Sequence, residues 1–322
     1  VILALRALGL GDLLTAVPAL RALRRFTDEP VVLAAPPALE PLVRRLDVAD
    51  RLLPVPSAVR APPAGLPAPS GPVRIAVNLH GVGPQSTDAL RRLEPVELWA
   101  YGEPAAPAWR DEHEVDRWCR LVAGYGCQPD RDDLYLADHR PAADPNSGPV
   151  LIHPGAADPS RRWPAERFAT VARRLATSGL PVRVTAGPGE EHLAARVASL
   201  GGLGPAAVAS GLGLGELTTL VTRSRLLICG DTGVAHLATA CRTPSVLLFG
   251  PQPPDRWGPP RRPWHHVFWS PDAGSGPLSR PDRVHPGLLA VGPGEVVGAA
   301  HLVLANDPRV HDPAGQAGSA VM

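Results

Sequence analysis

At 322 residues, 44% hydrophobic and 20% charged, the chain has a globular composition and is long enough for two ordinary domains with separate cores. Its formal net charge of +1 excludes both the basic footprint of a nucleic-acid binder and a polyacidic character, and all 32 basic residues are arginine. No run reaches the roughly 18 apolar residues of a membrane span, and the four cysteines (Cys119, Cys127, Cys229, Cys241) form no C-x-x-C pair, which predicts reduced, buried thiols in a cytosolic protein.

The first element expected is a strand over "VILALR" (1–6), followed by a helix in which Leu13, Val17, Leu20 and Leu23 share a face. Arg6 and Asp12 interrupt this apolar stretch, so it reads as strand and helix rather than as a signal peptide. At the junction "RALGLGDLLT", Gly9 and Gly11 are expected to make a tight turn and Asp12 to stand at the helix start as an N-cap. Leu14 occupies the third position of a G-x-G-x-x-G pattern, so this is not a dinucleotide fingerprint. Further strands are expected at "VVLAA", "RLLPV", "VRIAVNL" and "VELWAY", with a proline-rich surface loop at 54–72 and a helix in "EHEVDRWCRLVAGYG". This alternation predicts a parallel sheet covered by helices.

Asp130-Arg131-Asp132 matches a literal D-x-D, but it follows Pro129 in polar sequence and reads as a solvated connector. A domain junction is placed near 140–148, giving units 1–145 and 146–305, with 306–322 as a disordered tail. The strand rhythm restarts at "PVLIHPG" and continues through "LPVRVTAG", "AAVAS", "RLLIC" and "PSVLLF". Two such sheets suggest a cleft between them, and open α/β sheets bind ligands at the carboxyl ends of their strands.

Three further junctions carry candidate residues. In "LIHPGAADPSRRWP" the small loop with Gly155 and Ala156 offers backbone amides to an anion, and Arg161 and Arg162 offer guanidinium groups suited to phosphate. Which arginine would serve is left open. In "TAGPGEEH", Gly187 and Gly189 lead into a helix headed by Glu190, a weaker signal that the helix dipole alone explains. In "GDTGVAHLA", Asp231, Thr232 and Gly233 stand at a helix N-terminus that favours a bound anion, and Thr232 and His236 share a helix face. His265 and His266 fall in an arginine- and proline-rich loop without nearby acids, so no metal site is assigned.

Taken together, "LRALGLGDLLTAVPALRALRR", "NLHGVGPQS", "HEVDRW", "HPGAADPSRRWPAERFA" and "GDTGVAHLATACRTPSVLLFGPQPPDRWGPP" resemble glycosyltransferase family 9, the bacterial heptosyltransferases that move heptose from ADP-heptose onto lipopolysaccharide core. The resemblance spans nearly the whole chain in order. It implies a GT-B fold of two Rossmann-like domains facing a cleft, with the acceptor site in the N-terminal one and the nucleotide-sugar site in the C-terminal one. It also implies inverting transfer without metal or other cofactor.

By this resemblance Asp12 matches the catalytic base. Asp231, Thr232, Gly233, Val234 and His236 surround the sugar diphosphate with Gly155, Ala156, Arg161 and Arg162, and Gly11, Gly187, Glu190 and His80 are weaker candidates. Where the family often carries lysine near the phosphate, arginine must serve here. The expected partners are a nucleotide-sugar donor and a glycan or glycolipid acceptor, with no nucleic acid. The expected location is the cytoplasm, with peripheral contact at the inner face of the membrane as an alternative: "RALRRF" and "LVRRLD" could touch anionic lipid, but a solvated helix face is the preferred reading. The competing readings are a nucleotide-sugar epimerase of the same two-domain fold and a non-catalytic ligand-binding protein.

Overall fold

The continuous apolar run Ile2–Leu5 forms β1 with all four side chains buried, as expected of a parallel strand covered on both faces. The computed structural model describes residues 1–57, 65–137, 147–271 and 283–307, and the chain divides into Val1–Asp138 and His139–Met322. Most of the expected junction, residues 58–64 of the proline-rich loop and residues 308–322 of the expected tail lie outside the described residues.

In the first unit β1 lies between β2 (Val31–Ala35) and β4 (Ile75–Asn78), with β3 (Arg51–Pro54) and β5 (Glu97–Trp99) at the edges. The order is β3-β2-β1-β4-β5, all pairs parallel, with Ile2 level with both Val31 and Ile75. The single helix expected after β1 is two: α1 (Leu10–Thr15) and α2 (Val17–Phe26), joined at Ala16. Pro18 explains the break, because it lacks an N–H and its ring clashes with the carbonyl four residues back, at Leu14. Leu13, Val17, Leu20 and Leu23 are nevertheless all buried. Helices α3 (Glu40–Leu46), α4 (Pro84–Arg91) and α5 (Glu114–Gly124) complete the unit, and α5 packs on α2.

The second unit is a six-stranded parallel sheet: β6 (Val150–His153), β7 (Val182–Thr185), β8 (Val208–Ala209), β9 (Leu226–Gly230), β10 (Ser245–Leu248) and β11 (His265–Phe268). Its order is β11-β10-β9-β6-β7-β8. Helices α6 (Ala165–Thr177), α7 (Glu191–Leu200), α8 (Leu214–Thr222), α9 (Gly233–Ala240), α10 (Pro254–Trp257), α11 (Pro286–Ala290) and α12 (Pro293–Ala305) accompany it. Val150, Ile152, Phe168, Val184, Ile228 and Leu248 belong to one core, where Trp163 meets Phe168 edge to face at 4.9 Å.

His265 and His266 correct the loop expectation: they begin β11, an edge strand paired with β10. "HHVF" has neither strand alternation nor a β-branched majority. It is held by register with β10 and by a 2.8 Å bond between His265 Nδ1 and Ser245 Oγ. Burial pushes the His265 pKa down to about 3.

The four cysteines are buried and free. Among the described residues no helix is long and apolar enough to cross a membrane. The arginines of "RALRRF" and "LVRRLD" are largely engaged: Arg24 with Asp47 and Asp50, Arg25 with Asp133, Arg44 with Glu40, and Arg21 with the Leu46 and Tyr135 carbonyls.

Candidate functional site

Each sheet reverses its direction of growth once: between β1 and β4 in the first unit, between β6 and β9 in the second. Loops leaving the carboxyl ends of such neighbours diverge and open a crevice, which is where α/β sheets take ligands. Asp12 and His80 follow β1 and β4, Gly155 and Asp231 follow β6 and β9, and Gly187 and Glu190 follow β7, one strand away from the second reversal.

In the first unit Asp12 corrects its assignment. The N-cap of α1 is Gly9, and Asp12 is the third helical residue, its Oδ2 accepting the Gly9 N–H at 3.1 Å. Gly9 and Gly11 both have negative φ, so no left-handed turn is made; Gly11 lies within the first turn of α1. The Asp12 side chain is 29% exposed. Beneath it lies a residue the sequence reading treated only as an interruption. Arg6 is 1% exposed and donates Nε to the Asp12 carbonyl at 2.9 Å, with Nη1 bonded to the Leu79 carbonyl. Its Nη2 reaches Thr15 Oγ1 at 3.3 Å, Glu114 Oε1 at 3.0 Å and Asp12 Oδ1 at 3.5 Å, and its guanidinium carbon sits 4.8 Å from the Trp118 ring centre.

Glu114, at the start of α5, also accepts from Arg117 and from Trp118 Nε1. Neither Arg6 nor Glu114 was foreseen as part of the site; the signal was a charge inside an apolar strand and an acid in "HEVDRW". His80, just past β4, takes the Asn78 side-chain oxygen on its backbone N–H at 3.0 Å, while its buried Nδ1 has no partner among the described residues. Burial first, then Arg6, hold the His80 pKa down, and Asp12 opposes them.

In the second unit Asp231, 5% exposed, follows β9 and holds Arg161 Nη1 at 3.2 Å. Thr232 is the N-cap of α9, and its hydroxyl makes no capping bond back to the helix; Gly233 is the first helical residue. His236 lies one turn on, its ring 6.1 Å from Trp257. Val234 is 6% exposed and packs inward, so its side chain is part of the core. Burial of this apolar first-turn residue anchors the helix end.

Glu190 lies beside the anion cradle expected at Gly155 and Ala156. A Cβ on Gly155 would meet Glu190 Oε2 at 1.9 Å, so an acid already lies against this glycine. Glu190 Oε2 accepts the Gly187 N–H at 3.1 Å and lies 3.7 Å from His153 Nε2; Glu190 Oε1 is 4.0 Å from Arg162. An anion placed there would face like charge. The Ala156 carbonyl accepts Arg162 Nε at 2.7 Å, so Arg162 braces this loop. His153 is a residue the sequence reading passed over: it is buried at the end of β6, bonded through Nδ1 to Thr185 Oγ1 at 3.0 Å, and burial lowers its pKa against the pull of Glu190.

Asp130, Arg131 and Asp132 are exposed, with Arg131 paired to Asp116 at 2.7 Å. Among the described residues no three His, Cys, Asp or Glu side chains are grouped to hold a metal ion.

The profile of glycosyltransferase family 9 (heptosyltransferase) matches residues 81–281. The chain belongs to this family. A curated relative, lipopolysaccharide heptosyltransferase 1 of Pseudomonas aeruginosa, is 31% identical over 167 residues, covering 50% of this chain and 46% of that protein. The chain thus spans about half the length of the curated relatives it matches. Among solved structures, the family 9 glycosyl transferase of Veillonella parvula superposes with a TM-score of 0.73 at 19% identity, over 94% of this chain and 97% of that one. The ADP-heptose lipopolysaccharide heptosyltransferase II of Escherichia coli gives 0.70 at 17% identity, over 95% and 99%. At these identities the likeness establishes the fold: two parallel-sheet α/β domains of the GT-B class.

Proposed function

We propose that this family 9 protein is an inverting, metal-independent glycosyltransferase that moves heptose from ADP-heptose to a lipopolysaccharide-type glycan acceptor. The observation that carries the reading is Arg161, fixed by Asp231 beside Thr232 and Gly233 at the head of α9, where β6 and β9 diverge. Asp231 offsets part of the Arg161 charge and fixes its direction, and the guanidinium with the α9 N-terminus then presents oriented hydrogen-bond donors at one point. That is what a departing diphosphate requires when no divalent cation neutralises it. The loop arrangement supports Arg161 as the diphosphate contact and Arg162 as the brace of the Gly155–Ala156 loop. The names of the relatives and neighbours support heptose, ADP and lipopolysaccharide as the chemical classes.

In this mechanism the donor lies on the second unit and the acceptor on the first. Asp12 takes the proton of the attacking acceptor hydroxyl, whose oxygen bonds to the anomeric carbon from the face opposite ADP. The bond from that carbon to the phosphate oxygen breaks, and ADP leaves with its electron pair toward Arg161 and the α9 N-terminus. General-base assistance of this kind is worth roughly 10²–10⁴ in rate. Calorimetry of ADP and ADP-heptose with the chelator EDTA present tests the donor half. Affinity is expected to persist with chelator and to fall about tenfold or more in Arg161→Ala, as for loss of a charge-assisted bond. Affinity abolished by EDTA, or indifferent to Arg161→Ala, would refute it.

A further inference from the structure

The mechanism needs the Asp12 carboxylate held still without being neutralised, and a lone buried arginine beside it would do only the first. Arg6 divides its charge. Its Nη2 lies nearer to Glu114 Oε1, at 3.0 Å, than to Asp12 Oδ1, at 3.5 Å. Glu114 is also the more buried acid, 7% exposed at its side chain against 29% for Asp12, so its attraction is less screened. Meanwhile Arg6 Nε clamps the Asp12 carbonyl, and the Gly9 N–H clamps Oδ2. The Asp12 main chain is therefore held by Arg6 and its carboxylate by the Gly9 N–H, while Oδ1 keeps only a long contact to a cation already paired.

We propose that Arg6 is the positioning residue for Asp12 and that the buried Glu114 is its counter-charge, the pair fixing the Asp12 carboxylate while keeping it able to accept a proton. The inference rests on the reading of Asp12 as general base. It also gives a use to "HEVDRW": Glu114 accepts from Arg6, Trp118 lies 4.8 Å from the Arg6 guanidinium carbon and donates to the same Glu114 oxygen, and Arg117 supplies Glu114 with a second cation. The charged and titratable groups facing Asp12 are Arg6 from the end of β1, Glu114 with Arg117 from α5, and His80 from the end of β4. The alternative is a purely structural ion cluster, which would affect folding but not Asp12 in particular.

The test uses the full chain with Glu114→Gln, which keeps shape, and Arg6→Lys, which keeps charge but loses the fork. Two readouts are taken: the NMR titration of the Asp12 carboxyl carbon, and ADP release from ADP-heptose with heptose-free lipopolysaccharide or, in a second arm, with water alone. In Glu114→Gln the Asp12 titration curve is expected to move to lower pH, because the unshared guanidinium then turns on Asp12. In both variants kcat is expected to fall about 10- to 100-fold, the scale of small misplacements at a reacting group, with the KM for ADP-heptose unchanged.

In an Asp12→Asn background the same changes should alter residual turnover by less than about twofold, since coupled residues are not additive. An unmoved titration curve, or losses that multiply in the double variants, would overturn the proposal in favour of the structural cluster. If Asp12→Asn alone retained wild-type turnover, the base assignment would fall separately, and the titration arm would still decide whether Glu114 and Arg6 govern Asp12. Should Arg6→Lys fail to fold, Glu114→Gln carries both readouts.

Discussion

Asparagine at position 12 would keep the side chain's shape and an oxygen for the Gly9 N–H, so the entry into α1 should survive the change. What disappears is a proton acceptor. Asp12→Asn is therefore expected to leave the melting temperature and ADP-heptose affinity near wild type while turnover drops by roughly 10²–10⁴; near-normal turnover would remove Asp12 from the chemistry. Gly155 makes a prediction of a different kind. Alanine there puts a methyl into the Glu190 carboxylate, the far end of a flexible side chain, so Glu190 turns aside and the cost is that of the Gly187 N–H bond it gives up, about 0.5–1.5 kcal/mol. Urea unfolding should show that loss in Gly155→Ala and no further loss when Gly155→Ala is made in a Glu190→Ala background. Equal losses in both backgrounds would mean that Glu190 is not the obstacle. His236 is tested by alanine: reduced donor affinity at unchanged stability fits a ligand-facing side chain, the reverse a packing role against Trp257.

Among the elements, β11 gives a pH prediction. His265 is held neutral by burial, its pKa pushed down to about 3, and Arg262 acts in the same direction. An unfolded histidine titrates near 6.5. Above that pH neither state binds the proton and the stability is fully present; between 6.5 and 3 the unfolded chain takes up a proton that the folded chain refuses. Stability should therefore fall as pH drops through this window. His265→Asn, which keeps a partner for Ser245, should flatten the decline, while the buried His153, also lowered, leaves part of it. An identical slope in the variant would count against this role.

The same strand marks a limit of sequence reading. Strands such as Ile2–Leu5 and Leu226–Gly230 announce themselves because burial on both faces demands unbroken apolar runs, whereas an edge strand fixed by its neighbour's register need not. The division at Ala16 was in principle readable from Pro18. Asp231 and Thr232 stand together in the chain and could be picked out as a motif. Arg6 and Glu114 are 108 residues apart, and only the sheet order brings them into contact. Glu190 against Gly155 is likewise a through-space fact that composition cannot express.

For the whole molecule, a donor that binds the folded chain and not the unfolded one must raise its melting temperature. At about 100 times its Kd the expected gain is about 2.7 kcal/mol by mass action, and ADP should deliver it with EDTA present. No shift at saturating ADP would point to another nucleotide. The assignment of two α/β units to one transferase is tested most directly by the reaction itself. Purified chain is incubated in EDTA with ADP-heptose and heptose-free lipopolysaccharide, and ADP, the heptosylated product and its anomeric configuration are followed together. The account predicts ADP and product in equal amounts, with the anomeric configuration inverted relative to the donor. Transfer abolished by the chelator, product of retained configuration, or no transfer from ADP-heptose while another nucleotide sugar is consumed would contradict it.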